Sequence, residues 1–152
     1  MKKPKQKSLN QEEFFKLYDS FLKETSTGKR LKKNGKRIRL SSLSNYSYCR
    51  NLLEKFSTAK GFELKLFHTK NLTAKEMTQA KKYWKKFYIQ FTNYMFNDLN
   101  CFDNYVGTII KALKAFLNYL NEELNLSIGN FHMQFYATRE EIQIVVLSPR
   151  LD

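Results

Sequence analysis

Four stretches of the chain repeat apolar side chains every three or four positions, the spacing that aligns one face of a helix. The first runs from about Asn10 to Thr25 and places Phe14, Leu17, Tyr18, Phe21 and Leu22 on one side. Asn10 stands where an N-cap is needed, and Glu12 and Glu13 put anions in the first turn, where the helix dipole favours them. The second spans about Ser42 to Lys60, with Leu43, Tyr46, Leu53 and Phe56 facing inward and Gly61 as a left-handed stop. The third opens on the capping box Thr73-Ala74-Lys75-Glu76 and should end near Asn97 to Asn100. Its inner stripe is Met77, Ala80, Trp84, Phe87, Phe91, Tyr94 and Met95; Lys75, Lys81, Lys82, Lys85 and Lys86 occupy the other side. The fourth opens at Asp103-Asn104. Val106, Ile109, Ile110, Leu113, Phe116, Leu117, Leu120 and Leu124 make a broad apolar face, opposite Thr108, Lys111, Ala115 and Asn118, with Lys114 at the edge.

The segments between these helices differ in character. From Lys29 to Leu40 the chain holds its densest positive charge, with no acid inside it. Asn34-Gly35 is a strong turn signal there, so the segment reads as a small basic hairpin or an extended loop. Phe62 to Phe67 alternates and suits a short strand or an extended connector. After Gly129 the pattern is irregular, with Phe131 and Phe135 expected to pack back on the bundle. Ile142, Ile144, Val145, Val146 and Leu147 form a last apolar run, and Ser148-Pro149 is how a helix begins. The 152 residues therefore read as one domain of a longer protein.

Composition narrows the class. Hydrophobic residues at 42% and aromatics at 15% are enough to fill one core, which excludes a disordered tail. The apolar faces are wide enough to need one another, favouring a bundle over helices lying singly on a membrane. A formal charge of +13 repels itself in the folded state, and a polyanion would relieve it: nucleic acid first, an anionic membrane surface second. No apolar run approaches the ~20 residues of a membrane span. The basic start from Met1 to Lys7 lacks the apolar stretch of a secretory leader, because Gln11, Glu12 and Glu13 interrupt it. The expectation is a cytoplasmic protein, with Cys49 and Cys101 as buried free thiols.

Little in the sequence points to chemistry. Cys49, His68, Cys101 and His132 are scattered singly, where a zinc site needs pairs at short spacing. No glycine-rich phosphate loop is present, and no cofactor or metal is expected. The tyrosines fall on or beside apolar faces, as core-edge residues do.

Several motifs, taken in order, carry a resemblance. They are Tyr83-Trp84-Lys85-Lys86-Phe87-Tyr88, Phe91-Thr92-Asn93-Tyr94, Asp103-Asn104-Tyr105-Val106-Gly107 with Ile110-Lys111, and Phe116-Leu117-Asn118-Tyr119-Leu120. Together they resemble the core-binding domain of tyrosine recombinases, most of all the phage-integrase-like proteins of bacterial mobile elements. Asn34-Gly35-Lys36-Arg37-Ile38 ahead of Ser42-Leu43-Ser44-Asn45-Tyr46 resembles that family's lead into its second helix. Val146-Leu147-Ser148-Pro149 resembles the junction into its catalytic domain.

The resemblance covers most of the chain from about Phe14 and implies an all-α, four-helix, SAM-like bundle forming half of a clamp on DNA. It divides the chain into a basic tail (1–9), the DNA-binding domain (10–137) and a linker into a further catalytic domain (138–152). The second and fourth helices would then lie against the major groove. The implied contacts are Ser42, Asn45 and Tyr48 on the second and Asn104, Thr108, Lys111 and Lys114 on the fourth. Lys32, Lys33, Lys36, Arg37 and Arg39 of the basic segment would add phosphate contacts. Tyr105 stands where the family often has Thr, so the cap or contact there should differ. The family's chemistry resides in the other domain and includes an H-x-x-R arrangement. Here His68 leads to Asn71 and His132 to Phe135, so this chain is expected to bind double-stranded DNA without cleaving it. It should be a monomer alone, and the full-length recombinase an oligomer on DNA. A stand-alone regulator or accessory factor is the competing expectation.

Overall fold

The computed structural model describes residues 6–135, which are mostly helical. In chain order the elements are β1 (Ser8–Leu9), α1 (Gln11–Ser26), α2 (Leu40–Lys60), β2 (Leu66–Phe67), α3 (Ala74–Asn93) and α4 (Asp103–Glu122). Short 3₁₀ turns at Thr69–Asn71 and Phe131–Gln134 and a π turn at Tyr94–Asp98 complete them.

The starts of α1 and α3 follow from their caps, whereas α2 and α4 begin after Arg39 and Phe102 with no side-chain cap. Asn10 Oδ1 accepts from the Glu13 amide at 2.9 Å while Glu13 reaches back to the Asn10 amide at 3.1 Å. Thr73 and Glu76 make the same reciprocal pair. Each arrangement satisfies two amides that helix geometry leaves unpaired. Lys7 also meets the Glu76 carboxylate at 2.8 Å, and the hydrogen bonds from Lys7 and Thr73 hold that carboxyl down to about 2. Gly61 ends α2 in the left-handed conformation, at φ 61°. α3 runs as an α-helix only to Asn93; the π turn then carries the chain to Asp98.

Most of the expected inner faces are buried in one cluster, though Leu43 and Met77, expected to face inward, are half-buried outside it. Phe14, Tyr18 and Phe21 of α1 meet Phe116 of α4, with ring centroids 4.3–5.5 Å apart. Phe56 of α2 packs on Phe87 and Phe91 of α3, and Phe135 returns to Trp84, Phe87 and Tyr88. Leu113 and Phe116 are fully buried, whereas Lys111 on the same helix is exposed.

Some expectations need correcting. The basic tail does not extend through residue 9, because Ser8–Leu9 pairs antiparallel with Leu66–Phe67 and buries Leu9. Two-residue strands leave no alternation to read, so β1 has no signature in the sequence. α2 begins at Leu40, two residues before the expected Ser42. Cys49 is buried and its thiol is pushed up to about 12 by burial, but Cys101 is only half-buried. The run from Ile142 to Leu147, Ser148-Pro149 and the linker 138–152 lie outside the described residues. No helix among the described residues is long and apolar enough to cross a membrane.

Candidate nucleic-acid interface

The basic segment between α1 and α2 folds as a small hairpin. Leu31 bridges Arg37 in antiparallel fashion, and the Lys32 amide donates to the Lys36 carbonyl at 2.8 Å. Its turn closes through the Gly35 amide on the Lys32 carbonyl at 2.8 Å, with Gly35 at φ 81°. Asn34 Oδ1 accepts from the Lys36 amide at 3.0 Å, so Asn34-Gly35 does what its chemistry suggests.

Positive charge is distributed unevenly in this hairpin. The sequence suggests charge opposed by nothing; at the base it is opposed. Arg30 Nε meets Glu123 at 2.8 Å, its guanidinium also donates to Thr25 Oγ1 at 2.8 Å, and it lies over the rings of Phe21 and Tyr119. Lys29 faces Glu24 at 3.8 Å. The acids responsible sit 93 residues away and in the preceding helix, where a local reading of the segment misses them. Lys32, Lys33, Lys36, Arg37 and Arg39 are all exposed and form no ion pair among the described residues. Arg37 lies over Gly28, where an added Cβ would come within 3.0 Å of its guanidinium. Gly28 is itself at φ +79°, which favours glycine, whereas the exposed Arg37 guanidinium is free to give way.

From the hairpin the chain enters α2 at Arg39, the residue before the first turn. The N-terminal half of α2 lies alongside α4, and between them is a polar groove of about 290 Å³ lined by Ser42, Asn45, Tyr46, Thr108, Lys111 and Ala112. Four of the expected contact residues thus share one groove. Small residues make it possible: Ser42, Thr108 and Ala112 leave room where larger side chains would fill the gap. Thr108 Oγ1 donates to the Asn104 carbonyl at 2.9 Å, leaving its lone pairs to accept. Asn104 is exposed in the first turn of α4, ahead of the groove.

Two expected contacts lie outside the groove. Tyr48 is 51% exposed on the outer side of α2, close enough to Tyr105 for the two hydroxyls to interact electrostatically. Tyr105 and the strongly exposed Phe102 extend this aromatic edge at the start of α4. Lys114 is half-buried on the other edge of α4, and its charge acts on His132. His132 Nε2 is 2.7 Å from Asn118 Oδ1. Burial, and Lys114 after it, depress His132 to about 4, so it is neutral near pH 7. The sequence reading missed Tyr46 as a groove wall, because its spacing marks it as core; it is in fact half-buried and serves both.

Acid–base chemistry is weakly represented. Tyr18, Tyr83, Tyr105 and Tyr119 are all raised above the ordinary tyrosine value, chiefly by burial, the opposite of what an activated nucleophile requires. No group of three or more His, Cys, Asp or Glu residues among the described residues is arranged to hold a metal. No family model, curated protein or solved structure matches this chain.

Proposed function

We propose that this chain is a duplex-DNA-binding module: the SAM-like core-binding domain of a tyrosine recombinase of the phage-integrase kind, working in the integration and recombination of a mobile element. The observation that carries the reading is the α2–α4 groove, where Ser42, Asn45, Thr108 and Lys111 come together beside the start of α2. The hairpin feeding that start presents five cations without ion-pair partners among the described residues. Side-chain amide and hydroxyl groups in a groove suit base edges and sugar–phosphate, whereas lysines on a hairpin suit phosphates. The domain binds as a monomer, and the full-length recombinase assembles on DNA and supplies the chemistry from its other domain.

The test is a salt-dependent titration against a cognate-type duplex, an unrelated duplex, single-stranded RNA and anionic vesicles. Duplex binding should dominate. Changing Lys32, Lys33, Lys36 and Arg37 together to Gln should weaken both duplexes equally and lower the salt slope by roughly three to four units, one per lost phosphate contact. Preference for RNA or vesicles would overturn the reading. A selective loss on one duplex would show that the hairpin reads bases.

A further inference from the structure

The start of α4 carries an aromatic edge that the fold leaves uncovered. Phe102 is 85% exposed, Tyr48 51% and Tyr105 37%. Rings exposed together on one side of a domain mark a contact surface more clearly than scattered apolar residues do. The exposure is fixed by the backbone. The turn ahead of α4 is pinned by the Leu99 amide on the Tyr94 carbonyl at 3.1 Å and the Cys101 amide on the Met95 carbonyl at 2.9 Å, with Asn100 left-handed at φ 55°. Directly after it, the Phe102 carbonyl accepts from the Tyr105 and Val106 amides at 3.0 and 3.1 Å. Held on both sides, Phe102 presents its ring to solvent.

The edge continues the α2–α4 groove. Ser42 and Asn45 share the groove with Thr108 and Lys111, and Tyr48 lies near Tyr105, so the two helices run in opposite directions along one seam. Tyr48 follows Asn45 by three positions and Tyr105 precedes Thr108 by three, about one helical turn on each side. Lys55, seven positions after Tyr48, is exposed with no ion pair among the described residues. It stands about 10 Å further along α2, roughly three nucleotides at the 3.4 Å spacing of a stacked strand. The seam thus runs from Lys111 through the polar groove and the rings to a second cation. The acids nearest in sequence to Phe102 are engaged: Asp98 meets Lys60 at 2.6 Å, and Asp103 is half-buried in the first turn of α4, where the helix dipole favours it. A second copy of this chain would set one +13 charge against another. A fully paired duplex keeps its base faces stacked on each other, whereas an unpaired strand offers a base face and a phosphate at every step. We infer that Tyr48, Phe102 and Tyr105 stack on unpaired bases, so that the ligand of this seam is a DNA duplex that opens into a single strand, with Lys55 meeting the strand's phosphates. The inference rests on the duplex-binding reading and adds to it the form of DNA that the site takes.

The experiment titrates the full chain against three ligands: a blunt duplex, the same duplex with a short adenine overhang of either polarity, and that overhang made abasic, which keeps the phosphates and removes the bases. The parent should bind the adenine overhang about tenfold tighter than the abasic one in at least one polarity, within the range that a base stacked on a ring supplies. Phe102→Ala should lower that preference severalfold while leaving blunt-duplex affinity, its salt slope and the thermal melt unchanged. Phe102→Trp should keep the preference, because stacking requires a ring and not a particular one. Lys55→Gln should weaken the adenine and abasic overhangs alike. 2-Aminopurine in the overhang should be quenched on binding the parent and not on binding the Phe102→Ala, Tyr105→Ala double variant. Equal binding of adenine and abasic overhangs by a parent that holds the blunt duplex, or a preference unmoved by Phe102→Ala, would overturn the stacking edge and leave the duplex reading standing. Failure to bind any of the three would overturn both. Phosphatidylserine vesicles that bind the parent and release Phe102→Ala would assign the edge to a membrane surface and overturn the inference.

Discussion

Near the C-terminal half of α4, Arg30 lies over the adjacent rings of Phe21 and Tyr119 with Glu123 at 2.8 Å. Toward the N-terminal half, Lys111 stands exposed beside Ser42 and Asn45 with no ion pair among the described residues. Thr108, Ala112, Tyr119 and Glu123 follow one another at spacings of four, seven and four, so the groove and the Arg30 anchor share one edge of the helix. The side chains along that edge differ. Where it offers an aromatic ring and a carboxylate, a cation becomes part of the fold. Where it offers alanine and threonine, the cation remains available to something else. Dense positive charge in a sequence therefore has two fates, decided by residues distant in the chain.

The partnered region also includes a base that stays neutral. His132 is buried between α4 and α3 and is depressed from its ordinary 6.5 to about 4, by burial first and Lys114 second. The folded state resists protonation that the unfolded chain accepts near pH 6.5. The stability it supports is therefore complete above pH 6.5 and is lost as pH falls towards 4. The loss should be on the order of 3 kcal/mol across that window, because each tenfold difference in proton affinity between the two states is worth ~1.4 kcal/mol. Glu76, held to about 2, contributes its own loss only at lower pH, between 4.5 and 2. Denaturant unfolding at pH 7 and pH 4.5 should show this acid penalty in the parent and a much smaller one in His132→Gln. An equal penalty in both would remove His132 from the partnered set.

Arg30→Ala comes next in size. It removes an ion pair, a hydrogen bond to Thr25 and two ring contacts around a side chain only 12% exposed. A cost of about 2 kcal/mol is expected, since part-buried pairs with ring contacts exceed surface pairs. Lys33→Ala at the hairpin tip should cost within about 0.5 kcal/mol. Equal costs, read by chemical denaturation, would erase the distinction between base and tip.

How much of this was legible in advance depends on the range of the interaction. The four helices, the Asn10 cap, the Thr73–Glu76 capping box and the Asn34-Gly35 turn are local, and periodicity or cap chemistry reveals them. Tyr18 shows where local reading stops. Its apolar spacing marks it as core, but nothing nearby shows that its hydroxyl donates to the Tyr46 carbonyl, 28 residues on. The Arg30–Glu123 pair, the β1–β2 pairing and the His132–Asn118 contact are likewise set by tertiary neighbours. Of the candidate site, the groove-facing residues of α2 and α4 were legible through the family resemblance together with helical spacing. That Tyr48 lies outside the groove and that the charge of Lys114 acts on His132 were not, because a face of a helix does not reveal what packs beside it.

Lys111→Ala should have the smallest effect on the fold, yet it tests the site most directly. Lys111 is exposed, with no ion pair among the described residues, on the side of α4 away from Leu113 and Phe116. Alanine is also the better helix former, so the melt should move by no more than about 0.5 kcal/mol in either direction. Binding is a separate matter. If Lys111 meets a phosphate at the groove, removing it releases one fewer counterion, and the slope of log K against log salt should fall by about one unit. A uniform loss of affinity across duplex sequences should accompany that change, because a phosphate contact carries no base information. Asn45→Ala supplies the contrast, since a neutral side chain that reads a base edge should leave the slope alone and weaken one sequence more than another. The two variants are compared in the same titration over a series of salt concentrations, with thermal melts alongside. If Lys111→Ala leaves the slope unchanged, the groove is not where this chain meets duplex DNA. If it also melts early, Lys111 belongs with Arg30 among the cations that the fold consumes.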